Sequence, residues 1–179
     1  MPDSRLRCMQ FSIRKATVED AAAIAFVHVE SWRSTYAGTL PEAFLASLCV
    51  AERCALWKAA IEAGEAVLFV AERGREIRGF ACAGKLRAAI GGYDAELYAI
   101  YLLREFQGQG MGRRLLQGAA EALRGQGFTS LAVWVLAENP AVSFYRHLGG
   151  VEIARKVIEL GGVSLAELAF GWPSLDSGF

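Results

Sequence analysis

The apolar positions of this chain change period as they run. Residues 11–14, Phe-Ser-Ile-Arg, alternate as a short strand does. Thr17 before Glu19 and Asp20 then reads as a helix cap followed by an acidic first turn, and the pattern carries that helix through about Ser34. Gly38 and Pro41 break the chain; Pro41 suits the first position of a second helix reaching about Ala63, which Gly64 closes. Strand periodicity follows over 67–72 and 77–86, with Arg73-Gly74-Arg75-Glu76 as the turn between them. After a loop at 88–92, residues 95–103 form a further strand of the pattern. A helix over 110–124 lines up Leu115, Leu116, Ala119 and Leu123 on one face. A wholly apolar strand over 131–136, a short helix over 140–147, and a hairpin of 151–160 and 163–170 around Gly161-Gly162 complete the set.

This order predicts an α/β fold, with a mixed, mainly antiparallel central sheet covered by helices on both faces. The 179 residues suit one domain over 11–173, with a flexible N-terminus at 1–10 and a loose C-terminal tail at 174–179. The apolar run 163–170 could pair across a homodimer, or be buried within one chain.

Composition narrows the function classes. Nineteen Lys and Arg balance 19 Asp and Glu, so no net field draws the chain onto nucleic acid or an anionic membrane surface. The apolar runs are short and broken by charge, and MPDSRLRCMQ lacks the apolar core of a signal peptide, so a cytoplasmic protein with no membrane partner is expected. Cys8, Cys49, Cys54 and Cys82 show no CxxC spacing and only His28 and His147 could assist them, so no metal is expected. The four read as reduced, mostly buried small residues.

The chemistry concentrates where the strand ending near Leu103 meets the following helix, at Gln107-Gly108-Gln109-Gly110-Met111-Gly112. Three glycines at alternate positions free the backbone to curl and to bring its N–H groups close to a ligand. The helix that starts there adds unpaired N–H groups and the positive end of its dipole. Arg113 and Arg114 crowd two cations into that first turn, a conflict that a bound anion removes. A diphosphate between strand and helix fits. A Walker A loop does not, because Arg113 follows the last glycine and no Ser or Thr comes next; nor does the GxGxxG dinucleotide fingerprint, because the spacing here is GxGxG.

Over residues 11–172 the chain resembles the GCN5-related N-acetyltransferase (GNAT) superfamily. The likeness is carried by Gln107-x-x-Gly110-x-Gly112 after a strand, by Asn139…Phe144-Tyr145-x-x-Leu148-Gly149, and by the helix pair bearing Ser31-Trp32-Arg33-x-x-Tyr36. The resemblance implies that acetyl-CoA supplies the diphosphate. Backbone groups of Gln107, Gly108, Gly110, Met111, Gly112 and Arg113 would bind it, and those of Ile100, Tyr101 and Leu102 would meet the pantetheine arm on a splayed strand edge. Asn139 is a further ligand candidate, although it stands one residue nearer to Tyr145 than the family's usual spacing. Gly149-Gly150 also replaces the family's Gly-Phe, which removes an aromatic contact.

Acetylating an amine needs two proton transfers. An amine of pKa about 10.4 must lose a proton before it attacks, and the departing thiolate, of pKa about 8.5, must gain one. Glu96, eleven residues before Gln107, matches the glutamate used as base by some members; a substrate-orienting acceptor is the competing role. Tyr145 matches the tyrosine that serves as general acid. Period two places Glu96, Tyr98, Ile100 and Leu102 on one strand face. Trp32 and Tyr36, four apart on a helix, could join Tyr98 to enclose the acceptor or simply form core. Trp134 and Trp172 read as core, Arg124 and Arg155 as surface charges.

The resulting expectation is direct transfer of an acetyl group to the primary amine of a small molecule or amino acid, in a ternary complex. A non-catalytic acyl-CoA sensor or partner subunit is the alternative from another class. A longer acyl chain, a hydroxyl acceptor or a protein N-terminus are alternatives within the enzyme class.

Overall fold

The structure, a computed structural model, describes residues 11–177 and 179. Among these residues, seven strands form one sheet in the order β1-β2-β3-β4-β5-β7-β6. They are β1 (Phe11–Lys15), β2 (Val67–Arg73), β3 (Glu76–Lys85), β4 (Ala95–Leu102), β5 (Leu131–Leu136), β6 (Val151–Leu160) and β7 (Val163–Trp172). Every pairing is antiparallel except β4 with β5. The mixed, mainly antiparallel sheet expected from the sequence is therefore present. The assignments of 1–10 and of Cys8 lie outside the described residues. Among the described residues no helix is long and apolar enough to cross a membrane.

Among the described residues, five α-helices cover the sheet: α1 (Ala21–Thr35), α2 (Glu42–Ser47), α3 (Val50–Ala63), α4 (Met111–Gly125) and α5 (Ala141–His147). The entry to α1 is a 3-10 turn, Val18–Asp20, whose Asp20 carboxylate takes the Thr17 backbone N–H at 2.8 Å and pairs with Arg14 at 2.7 Å. The apolar face read for α4 is the buried one: Leu115, Leu116, Ala119 and Leu123 are fully enclosed against Leu97, Leu131, Val133 and Phe170. Each such leucine contributes about 1.5–3 kcal/mol by leaving water. On the opposite face, Ile24 and Val27 of α1 pack on Leu68, Val70 and Phe80, with Trp57 of α3 closing the layer.

Three expectations are corrected. The single helix 41–63 is two, because Leu48 and Cys49 are extended (φ −64°, ψ 118° and φ −107°, ψ 121°). That break turns the chain so that Leu48 joins Leu45, Tyr36 and Leu165 in a third apolar cluster under the β6–β7 hairpin. Of the described cysteines only Cys82 is buried, since Cys49 sits in that exposed break. The tail is not loose over 174–176: Leu175 is buried, its N–H donates to Thr129 O at 2.8 Å, and Arg124 reaches Asp176. Strand β6 is a sheet edge, with Val151 and Val157 exposed on it.

The sheet opens in the middle. β4 and β5 pair in parallel only over Ala95–Leu97 and Leu131–Val133. Beyond Leu97 the two strands diverge, which leaves one edge of β4 unpaired down to the glycine turn. A β-bulge also shifts the β3–β4 register, with Cys82 opposite Ala99 but Ala83 opposite Leu97, so Tyr98 is the extra residue. The single face expected for Glu96, Tyr98, Ile100 and Leu102 is thereby split. Tyr98, Ala99 and Tyr101 pack toward the α1 side, whereas Ile100 and Leu102 join Ala95 and Leu97 on the α4 side.

Candidate active site

The glycine turn closes the lower end of the opening. After a 3-10 turn, Arg104–Phe106, both Gly108 (φ +71°) and Gly110 (φ +83°) adopt left-handed backbone, and a Cβ on either would point into open space. The first N–H of α4 with a backbone partner is that of Arg114, bonded to Gly110 O at 3.2 Å. Among the described residues, the N–H groups from Gly108 through Arg113 have no backbone partner, at a helix N-terminus whose first turn carries no acidic residue. Arg113 is exposed there, while Arg114 stacks on Phe11 with its guanidinium 4.8 Å from the ring centroid. Gly112 serves packing instead, since a Cβ there would come within 3.2 Å of Phe144, and the missing side chain lets α4 approach α5. Met111 is buried below the turn, and the Gln107 amide donates to Leu102 O at 3.0 Å, fixing the loop onto the strand end. Such a cradle suits a diphosphate.

Above the turn, the unpaired edge of β4 offers alternate residues. Strand N–H groups point to opposite edges in turn, and the N–H of Leu103 goes to Arg78 O on β3 at 2.9 Å. Tyr101 therefore also turns its backbone toward β3, while Ile100 and Leu102 turn theirs toward the opening. Ser31 of α1 donates to Leu102 O at 3.3 Å, which ties the helix layer to this edge.

Tyr145 lies on α5, beside the opening, with its ring 5.4 Å from Phe144 and 6.1 Å from both Phe170 and Trp172. Burial pushes its hydroxyl far above the ordinary phenol value, and the nearby Tyr101 and Tyr36 hydroxyls add to this. The aromatic contact expected to be missing at Gly149-Gly150 is supplied from elsewhere. A Cβ at Gly150 would meet Trp172 at 2.9 Å, and Trp172 donates its indole N–H to Leu148 O at 2.8 Å. Trp172 is thus core, as expected. Asn139 is occupied at both ends of its amide: Oδ1 accepts the Ala141 N–H at 2.8 Å, capping α5, and Nδ2 donates to the Tyr36 hydroxyl at 2.8 Å.

The α1 face of the opening carries the remaining candidates. Glu96 is buried and accepts from the Arg87 backbone N–H and Nε, each at 3.1 Å, and from the same guanidinium's Nη2. That bonding raises the Arg87 pKa, with Tyr98 and Glu167 adding to it. The Arg87 guanidinium also stacks on Tyr98, 4.9 Å from the ring centroid, and the Tyr98 hydroxyl donates to Lys85 O at 2.5 Å. Trp32 and Tyr36 do meet, edge to face at 5.1 Å. Their third partner is the layer of Tyr101 and His28, stacked at 5.1 Å, rather than Tyr98. His28 accepts the Trp57 indole N–H at Nδ1, 3.2 Å away, and burial then Arg53 lower its pKa to about 4. The Trp32 Nε1 is buried beside Tyr101 without a well-formed hydrogen bond. Cys82 lies under the same face, its thiol pushed up to about 12 by burial, so it is no nucleophile there.

Sequence reasoning missed four residues of this face. Arg87 lies in a loop outside any motif. Trp134, read as core, is only half-enclosed, with the Lys156 ammonium 3.9 Å from its ring centroid. Glu167 was the one available signal, being a single charge within the apolar strand 163–170. Among the described residues no group of three or more His, Cys, Asp or Glu could hold a metal ion.

Comparison with known proteins gives the family. The chain belongs to the acetyltransferase (GNAT) family, whose family model matches residues 26–149, and it is an N-acetyltransferase. It is 44% identical over 168 residues to YuaI of Bacillus subtilis (strain 168), an uncharacterised N-acetyltransferase, covering 93% of this chain and 95% of that protein. The PaiA N-acetyltransferase of Thermoplasma acidophilum, solved in complex with coenzyme A, superposes with a TM-score of 0.67 at 25% identity, covering 89% of this chain and 98% of that one. The YncA structure from Salmonella typhimurium, which contains acetyl-CoA, shares the fold with a TM-score of 0.70 at 22% identity, over 95% and 96% of the two chains.

Proposed function

We propose that the protein transfers the acetyl group of acetyl-CoA directly to the primary amine of a small molecule or amino acid, in a ternary complex. The observation that carries this is the pair of left-handed glycines, Gly108 and Gly110, at the start of α4, next to the stretch of β4 that has lost its β5 partner. The N–H groups of Gly108 to Arg113 receive the diphosphate, and Arg113 adds a charge beside it. The backbones of Ile100 and Leu102 receive the extended pantetheine arm. An N–H of that edge bonds the thioester oxygen and stabilises the charge that develops on it.

The acceptor approaches from the α1 face, between Tyr98, Trp32 and Tyr36. Its nitrogen forms a bond to the acetyl carbon as the carbon–sulfur bond breaks. Glu96, held in place by three donors of Arg87, takes the amine proton. Tyr145 gives its proton to the sulfur; burial keeps that phenol protonated across the working pH range. Asn139 acts through Tyr36 and α5, joining the helix that carries Tyr145 to the end of α1.

Thiol release from acetyl-CoA against a panel of amines, with acetyl-CoA binding measured by calorimetry, tests the proposal. Release with a particular amine supports it and names the acceptor class. Binding without release from any amine favours a sensor, and no binding removes the reading altogether. Glu96→Gln, which keeps most of the Arg87 bonds, should lower kcat/KM by about tenfold or more while leaving acetyl-CoA affinity in place.

A further inference from the structure

Lys156 sends its side chain from the edge strand β6 across β7 to β5. There its Nζ lies 3.9 Å from the centroid of the Trp134 ring and 3.1 Å from Glu167 Oε2. An ammonium between an indole face and a carboxylate is held by two forces that any cationic group can use. The location is the wall of the opening. Trp134 is the first residue of β5 past Val133, where pairing with β4 ends, and Glu167 lies opposite Leu136, further along the same unpaired stretch. Glu167 is also near enough to Tyr36 and Arg87 to raise the pKa of both groups, after burial for the first and the Glu96 bonds for the second.

The two halves of the pair are unequal. The Glu167 side chain is 17% exposed, and the Lys156 side chain 45%. A long, half-exposed lysine swings into water at little cost and regains rotamer freedom. The carboxylate and the indole stay where the sheet puts them. What the fold fixes is the receptor, and the lysine is its removable occupant.

We propose that Trp134 and Glu167 form an ammonium subsite for the acceptor, filled by Lys156 in the free protein and vacated when a cationic amine enters. The nitrogen that is acetylated must be neutral when it attacks, whereas the group held by Trp134 and Glu167 is favoured as a cation. The two are therefore different nitrogens of one molecule. The acceptor class is a small amine bearing a second positive charge, such as an aliphatic diamine. Assigning the first nitrogen rests on the acetyl-transfer reading; the ammonium subsite itself does not.

The test uses the full chain with 15N-labelled tryptophan, its Trp134 indole signal identified by its loss in Trp134→Phe. Putrescine should shift that signal, and 1,4-butanediol, its uncharged analogue, should not. Lys156→Met should lower the putrescine concentration at half-shift several-fold, and Glu167→Gln should raise it by about tenfold, as expected for losing a carboxylate partner in a partly enclosed site. A Trp134 signal unmoved by putrescine in both the native chain and Lys156→Met overturns the subsite, as does an unchanged response in Glu167→Gln. In turnover, putrescine should exceed 4-amino-1-butanol in kcat/KM by about tenfold, a preference that Glu167→Gln removes. Equal turnover of the two, or none with either, overturns the assignment of acceptor class. Acetyl-CoA calorimetry run alongside reports on the acetyl-transfer reading by itself: failure there, with the Trp134 shift retained, removes that reading and leaves the subsite standing.

Discussion

The glycine turn and the acceptor face of this site are built on opposite principles. The turn is contiguous, running from Gln107 to Arg113, and works through backbone N–H groups whose direction is set by two left-handed glycines and a helix start. The acceptor face is assembled from side chains on α1, the loop after β3, β4, β5, β6 and β7, and works through charge and aromatic contact. On the proposed reading, a ligand element common to many reactions, the diphosphate, meets a surface made mainly of backbone. On the same reading, the variable element, the acceptor, meets side chains brought together from several strands and a helix. Cofactor binding and acceptor choice are therefore separable on the proposed reading, and substitutions can ask whether they are.

The largest effect should come from the turn. Gly110→Asp puts a side chain and a negative charge into the cradle at φ +83° and should weaken acetyl-CoA binding by more than about a hundredfold, as measured by calorimetry on a variant whose circular dichroism is native. Unchanged affinity would show that the turn is not the diphosphate site. Tyr145→Phe should separate the two regions more finely. It removes one hydroxyl, so kcat should fall by about 10²-fold while acetyl-CoA affinity stays within about twofold. Equal losses in both would place Tyr145 among the cofactor's packing contacts instead.

The layer behind the acceptor face should be the acid-sensitive one. His28 is neutral in the folded chain, with its pKa lowered from 6.5 to about 4, first by burial and then by Arg53. A group depressed in this way binds protons in the unfolded chain before it does in the folded one. Stability should therefore be intact above pH 6.5 and decline as the pH falls toward 4, by about 3 kcal/mol in all. Denaturant melts of the native chain and of His28→Gln across that window would check it, and the variant should show the shallower decline. The smallest effect is expected at the hinge between the regions. Tyr36→Phe deletes the acceptor of the Asn139 amide and should cost about 1 kcal/mol in the same melts. If it also alters KM for the amine without touching acetyl-CoA affinity, Asn139 belongs to the acceptor side.

The chain order of strands and helices, the buried face of α4, the capped entry to α1 and the glycine turn were all legible in the sequence. Each is written in residues a few positions apart: a period of 2.0 or 3.6, a cap, a glycine that must take positive φ. Tyr145 and Glu96 were nameable because the resemblance attaches them to that turn at fixed distances along the chain. Other features depended on which strand lies beside which. The break at Leu48–Cys49 exists because Leu48 has a cluster to join under the distant β6–β7 hairpin. The bulge at Tyr98 exists because β3 and β4 differ by one residue between their paired ends, and it overrides the simple alternation of β4. Trp172 fills the space beside Gly150 from a strand twenty-two residues away, which no local pattern could announce. The order β5-β7-β6 brings Lys156, Glu167 and Trp134 into contact, though 22 residues separate Trp134 from Lys156. The sequence by itself therefore determined the elements and the glycine turn, where neighbours in the chain are neighbours in space. Only the tertiary structure decided the acceptor face, because side-chain chemistry across a sheet depends on strand order and register, which become definite once the core has closed.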